Sequence, residues 1–184
     1  MNKIYDFARE HMEKSIEVLR KDLNTLRTGR VSIHILDGVK VEYYGAPMPL
    51  NQVASVTAVD ATTIVVTPWD KSILNDIERA IQEANLGVNP NNDGDSIKLY
   101  FPPMTEEERK KQVKKAKEFG EKAKIAIRNV RREANDKVKK LFKEKAISED
   151  EHRRALDKIQ EITDQYVDKV DQIISKKSEE ILKV

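Results

Sequence analysis

Residues 105–145, TEEERKKQVKKAKEFGEKAKIAIRNVRREANDKVKKLFKEK, decide the architecture of this chain. Their apolar and small residues fall at Val113, Ala116, Gly120, Ala123, Ile127, Val130, Ala134, Val138 and Leu141, at spacings of three and four. That period holds one narrow stripe on one side of an α-helix, as in a coiled-coil seam. Thr105 and Glu108 form a T-x-x-E capping box, and Glu106, Glu107 and Glu108 suit the positive end of the helix dipole. With no proline inside, the spacing predicts one helix of about 40 residues, roughly 60 Å long. Gly120 costs such a helix about 1 kcal/mol relative to alanine. Close packing is one reason to tolerate it, and Ala116, Ala123 and Ala134 open the same face to close neighbours.

Outward from this segment, both flanks are also helical in period. On the C-terminal side, Ser148 and Glu151 make a second capping box, followed by a stripe at Ala155, Ile159, Ile162, Tyr166, Val170, Ile173 and Ile181. On the N-terminal side, Ile16, Leu19, Leu23 and Leu26 recur at helical spacing, extended toward the start by Ile4, Phe7 and Met12. This predicts a helix from Met1 to about Thr28, with Gly29 as its C′ residue and Arg27 in the last turn. None of these helices can bury its stripe alone, so the economical arrangement is a three-helix bundle.

The middle is different material. All six prolines lie between Pro47 and Pro103, and five of the six glycines between Gly29 and Gly94. Residues 39–44, 53–59, 62–67 and 97–101 read as strands, and Ile73 to Ala84 as a helix. The expected fold class is α+β: a three-helix bundle, residues 1–29 plus 105–184, with a small β/α/β domain, residues 30–104, inserted into it. Two chain crossings then join the units, one at Thr28, Gly29 and Arg30, the other at Pro102, Pro103, Met104 and Thr105. A paired connection of a permissive glycine and a stiff Pro-Pro predicts a hinge with a preferred axis. Trp69 is expected to seal the small domain's core. Of Tyr43 and Tyr44, one is expected to pack and the other to be exposed.

The net charge of +2 conceals segregation along the chain. Residues 109–145 hold sixteen lysines and arginines against five acids, a net +11, whereas residues 30–104 carry −4 and residues 146–184 carry −3. At about 100° per residue, with Ile127 facing the core, Lys117, Lys124, Arg128 and Arg131 fall on one flank of the long helix. Arg132, Lys114 and Lys139 extend it, and Glu133 and Asp136 lie beyond. A basic ridge of this kind suits a polyphosphate such as a folded RNA, read by shape and phosphate position. A lysine-rich helix is also often only a solvated face. The arginine cluster and the displaced acids argue for RNA, while Lys117 and Lys124 either bind it or merely solvate the helix.

Other chemistry is excluded. The chain has no cysteine, which rules out a disulfide framework, thiolate metal sites and a cysteine nucleophile. His11, His34 and His152 are scattered, with no metal-ligand spacing, so no metal is expected. No G-x-x-x-x-G-K-[ST], G-x-G-x-x-G or G-x-S-x-G occurs, so no cofactor and no catalytic residue is expected. Asn89 to Asp95 lacks EF-hand spacing and reads as a turn on Asp93-Gly94. No apolar run reaches the ~18 residues of a membrane span, and the N-terminus has no secretory h-region.

The stretch Leu26-Arg-Thr-Gly-Arg30, the run Val41-Glu-Tyr-Tyr-Gly45 followed by Pro49-Leu50, the Leu86-Gly87 and Asn89-Pro90 pairs, and Ile127-Arg-Asn-Val-Arg-Arg-Glu-Ala-Asn135 together resemble the bacterial ribosome recycling factor family, in the same order and over the whole chain. The resemblance implies an L-shaped, two-domain, cytoplasmic monomer that is not an enzyme. It implies binding to the large ribosomal subunit across its tRNA sites after termination. With elongation factor G, which supplies GTP hydrolysis, it implies release of mRNA and deacylated tRNA by splitting the ribosome. By position, the family's ribosomal RNA contacts carry onto Arg109, Arg128 and Arg131, with Arg30 near the hinge as a secondary candidate. The ridge read from the residues adds Arg132, Lys117 and Lys124. The competing reading is a coiled-coil adaptor or chaperone-like binder whose seams recruit a partner helix.

Overall fold

The computed structural model describes residues 1–183. Among them the elements run, in chain order, α1 (Asn2–Asn24), a 3-10 turn (Ile33–Leu36), β1 (Lys40–Tyr43), β2 (Ala46–Pro49), α2 (Leu50–Val53), β3 (Ala54–Ala58), β4 (Thr63–Pro68), a 3-10 turn (Lys71–Ile73), α3 (Leu74–Glu83), β5 (Asn91–Asn92), β6 (Ile97–Tyr100), α4 (Glu106–Lys143) and α5 (Glu149–Leu182). They form two compact units: Met1–Leu23 with Val113–Glu179, and Asn24–Gln112 with residues 180–183.

The first unit is a helical bundle of α1, α4 and α5. Its core is the expected stripes: Ala8, Met12, Ile16 and Leu19 from α1, Ala116, Gly120, Ala123, Ile127, Ala134 and Val138 from α4, and Ala155, Ile159, Ile162 and Val170 from α5 are buried. Thr163 is a buried polar residue in this core, and its hydroxyl is satisfied by donating to the Ile159 carbonyl at 2.8 Å. Side-chain pairs fix the directions of the helices. Lys122 meets Asp22 at 3.8 Å while Lys137 sits 4.6 Å over the Phe7 ring, so α1 and α4 are antiparallel. Lys124 meets Asp171 and the Phe142 ring stacks on His152 at 4.6 Å, so α4 and α5 are antiparallel too.

Both capping boxes form. The Thr105 N–H donates to Glu108 Oε2 at 2.8 Å and the Glu108 N–H to Thr105 Oγ1 at 3.1 Å. Ser148 and Glu151 repeat the exchange at 3.3 and 3.1 Å. Replacing either Thr105 or Ser148 by alanine leaves orphan N–H groups and is expected to cost about 1 kcal/mol each. Chemical denaturation midpoints check this, and Ser148→Thr is expected to be near neutral.

The second unit holds an antiparallel sheet in the order β3-β4-β6-β5 and a separate β1-β2 hairpin. Along β4, Ile64 and Val66 point into the core while Thr63, Val65 and Thr67 do not, the two-residue alternation of a strand with one buried face. Ile97 and Leu99 of β6 and Ile77 and Ile81 of α3 complete that core. The hairpin turns on Tyr44 and Gly45, both at positive φ (52° and 77°), the conformation that matches strand twist in a two-residue turn. Tyr43 packs on the core and Tyr44 is 89% exposed, as expected. Asp93-Gly94 is a turn: Asp93 Oδ1 accepts from the Asp95 and Ser96 N–H groups at 2.9 and 2.8 Å.

Four expectations fail. Trp69 does not seal a core but is 68% exposed, because Pro68 takes the inward position and the two-residue alternation sends Trp69 out. The first helix ends at Asn24, not near Thr28, and Gly29 is therefore not its C′ residue. Leu26 remains buried, but from the connecting segment. Gly29 is needed for a different reason: a Cβ there would sit 2.9 Å from the Lys183 carbonyl oxygen. Arg27 lies outside the helix as well. Its N–H donates to Gln112 Oε1 at 3.3 Å, its Nη2 donates to the Pro102 carbonyl, and its guanidinium lies 5.5 Å from the centre of the Phe101 ring. Burial lowers its pKa below the ordinary value, with Glu108 opposing.

Candidate nucleic-acid interface

The core stripe of α4 fixes its rotation, and the neighbours fix what each flank meets. The flank carrying Lys122 and Lys137 borders α1. The flank carrying Lys124, Arg128 and Arg131 borders α5, because Lys124 reaches Asp171 and Arg131 reaches Gln160. The expected ridge therefore exists as one edge of the bundle, beside the α4–α5 seam.

Within that ridge the cations are not equivalent. Lys124 Nζ lies 2.6 Å from Asp171 Oδ1 and 3.7 Å from Glu121 Oε1, and its side chain is only 18% exposed. The hydrogen bond to Asp171 raises its pKa, against desolvation, with the charges of Asp171 and Glu121 adding to it. A cation so neutralised fastens α4 to α5 and offers little to an outside phosphate. Lys124→Gln is expected to cost about 0.5–1 kcal/mol of stability. Its folded pKa lies above the unfolded one, so the pair's contribution is complete at neutral pH and is lost only as pH climbs through the ordinary lysine range toward the folded value. Unfolding curves at neutral and strongly alkaline pH check this: the difference between wild type and Lys124→Gln should vanish at the higher pH.

Arg131 is held differently. Its Nη1 donates to Gln160 Oε1 at 3.4 Å, a neutral partner, and the residue is half-buried. Arg128, Arg132 and Lys117 are exposed and, among the described residues, make no ion pair. Lys114 and Lys139 are exposed as well. The ridge thus presents Arg128, Arg131 and Arg132 as guanidinium groups that no carboxylate neutralises among the described residues. Guanidinium groups suit phosphate because their planar donors match two oxygens at once.

The other candidates stand apart. Arg109 is half-buried in the first turn of α4, where its N–H donates to the Thr105 carbonyl at 3.0 Å, and that turn belongs to the second unit. About five helical turns before Ile127, it points along the core stripe rather than along the ridge. Arg30 is exposed, and its carbonyl accepts from Thr28 Oγ1 at 2.8 Å. All seven expected hinge residues, Thr28, Gly29, Arg30, Pro102, Pro103, Met104 and Thr105, lie in the second unit. The residues that sequence reasoning missed are Asp171, Gln160 and Arg27. Nothing in a one-dimensional pattern reveals the register of α5 against α4 or the exit of the chain after Asn24. Among the described residues no group of three or more His, Asp or Glu side chains is placed to hold a metal ion, and no helix is long and apolar enough to cross a membrane.

Comparison with known proteins gives one consistent answer. Residues 19–182 match the family model described as Ribosome recycling factor. The chain is 67% identical over 184 residues to the ribosome-recycling factor of a Nitratiruptor species, covering 100% of this chain and 99% of that one. It is 57% identical to that of Helicobacter hepaticus, with both chains covered in full. A solution structure of the ribosome recycling factor is similar with a TM-score of 0.77 at 36% identity, over 100% of this chain and 97% of that one. A second similar structure is the T. thermophilus ribosome recycling factor, which together with E. coli elongation factor G is bound to the E. coli post-termination complex. It has a TM-score of 0.66 at 50% identity, over 99% of this chain and 98% of that one.

Proposed function

The chain belongs to the ribosome recycling factor family, and from that premise we propose that its bundle anchors on ribosomal RNA of the large subunit through the α5-facing flank of α4. The protein is a recycling factor, not an enzyme: it acts on post-termination ribosomes together with elongation factor G, the arrangement of its relative. Splitting of the subunits, with loss of mRNA and deacylated tRNA, draws its free energy from GTP hydrolysis by that partner. This chain supplies a rigid grip and a lever. Because ribosomes are its substrate, its place of action is the cytoplasm.

The observation that carries the RNA reading is the unneutralised guanidinium cluster of Arg128, Arg131 and Arg132 beside a neutralised Lys124. Lys117 stays a candidate on the same ridge, and Arg109 and Arg30 would contribute from outside it. The inserted acidic domain is the natural lever. Thr28 to Arg30 and Pro102 to Thr105 are the hinge segments of this reading, and Arg27, bonded to Pro102 and Gln112, ties them together within the second unit. The deciding experiment is subunit splitting with purified post-termination ribosomes. Splitting is expected only when this protein, elongation factor G and GTP are all present. Splitting that ignores the GTPase, or none under any combination, would overturn the reading.

A further inference from the structure

Arg131 and Lys124 lie seven residues apart on α4, on the same flank, and both reach across to α5. One meets a carboxylate and the other an amide. The amide's orientation is fixed by its own neighbour: Gln160 Nε2 donates to Asp164 Oδ1 at 2.8 Å, one turn further along α5. A carboxylate only accepts, so the Gln160 NH₂ must face Asp164 and its carbonyl oxygen must face Arg131. That oxygen accepts from Arg131 Nη1 at 3.4 Å.

We propose that Gln160, oriented by Asp164, is a positioning residue that holds the Arg131 guanidinium in a fixed place on the ridge without cancelling its charge. The inference rests on the RNA-anchoring reading of Arg131. A guanidinium free in solvent loses side-chain entropy when it docks on a phosphate, and one paired with a carboxylate must first give up that pair. The Gln160 arrangement avoids both costs. It anchors one Nη group through a neutral acceptor and leaves the other donors of the planar fork for an incoming phosphate. The negative charge that steadies the arrangement sits one residue removed, on Asp164. Lys124 with Asp171 is the opposite solution on the same seam, in which the charge is consumed to join two helices.

The test measures binding of the full-length protein to purified large ribosomal subunits over a range of salt concentrations, for wild type, R131A, Q160A, Q160E and the two Gln160 variants combined with R131A. Q160A frees the guanidinium but keeps its charge, so affinity should fall about 3-fold with an unchanged salt slope. Q160E places a carboxylate against Arg131, so affinity should fall about 10-fold, and the slope of log K against log salt should flatten by roughly 0.9, as for one lost phosphate contact. Combined with R131A, Q160A should lower affinity no further, whereas Q160E should add only the repulsion of its own carboxylate. Circular dichroism should show the same helix content throughout, since Gln160 is exposed. If R131A weakens binding but Q160A binds like wild type, or Q160A weakens R131A further, the positioning role is wrong and the anchoring reading stands. If R131A binds like wild type, the anchoring reading itself falls and takes this inference with it.

Discussion

Arg131→Glu is expected to weaken binding to the large ribosomal subunit on the order of 100-fold at moderate salt. The substitution removes a guanidinium that Gln160 holds beside the α4–α5 seam and puts a carboxylate in its place. An RNA phosphate at that point would then meet a like charge, so the loss exceeds that of simple truncation. The fold should survive, because Arg131 makes no ion pair among the described residues and lies off the buried stripe of Ile127, Ala134 and Val138. Sedimentation of ribosomes with the variant measures the binding. Thermal unfolding followed by circular dichroism separates loss of grip from loss of structure. Since the missing interaction is with phosphate, the gap between variant and wild type should narrow as salt rises. Equal affinity for the two proteins at moderate salt would remove Arg131 from the mechanism.

Gly120→Leu is expected to produce the largest loss of stability. A Cβ built on Gly120 already lies 2.7 Å from Ile174 Cγ1 and 3.1 Å from its Cδ1, and Val170 Cγ1 is 3.8 Å away. A leucine adds three further carbons in a space that does not hold the first. Either α5 is pushed from α4 over neighbouring turns or the side chains leave their rotamers. Overpacking of this kind costs about 3 kcal/mol, or about 6–12 °C in melting temperature for a cooperative chain of this length. Gly120→Ala is the informative companion. It gains about 1 kcal/mol of helix propensity, but its Cβ would lie 2.7 Å from Ile174 Cγ1, closer than packed carbons come, so Ile174 must shift and the variant should lose stability, though less than the leucine variant. A leucine variant that melts with wild type would show that α4 and α5 do not close on each other at this point.

The seam spacing from Val113 to Leu141, the two capping boxes and the proline-free flanks are enough to derive the helices of the bundle, because helix period and end chemistry are local properties. The small domain is legible in outline. Its β2 strand, paired with β1 through the Tyr44-Gly45 turn, escapes a sequence reading because Pro47 and Pro49 do not read as strand residues. The end of α1 falls about a turn earlier than the spacing predicts, because Leu26 continues the apolar pattern although the chain has already left the helix.

The basic ridge is legible for the same local reason: residues 117, 124, 128 and 131 share a flank on any α-helix. Sequence alone thus determined which cations stand together on α4, since 3.6 residues per turn fixes that without reference to anything else. Only the tertiary structure decided which of them keep their charge for a partner. That depends on the register of α5 against α4, which sets Asp171 on Lys124 and Gln160 on Arg131. The register is chosen by the close approach of Gly120 to Ile174 and by the summed packing of the core. No repeat or motif carries that sum, because each contribution joins residues some thirty to fifty positions apart.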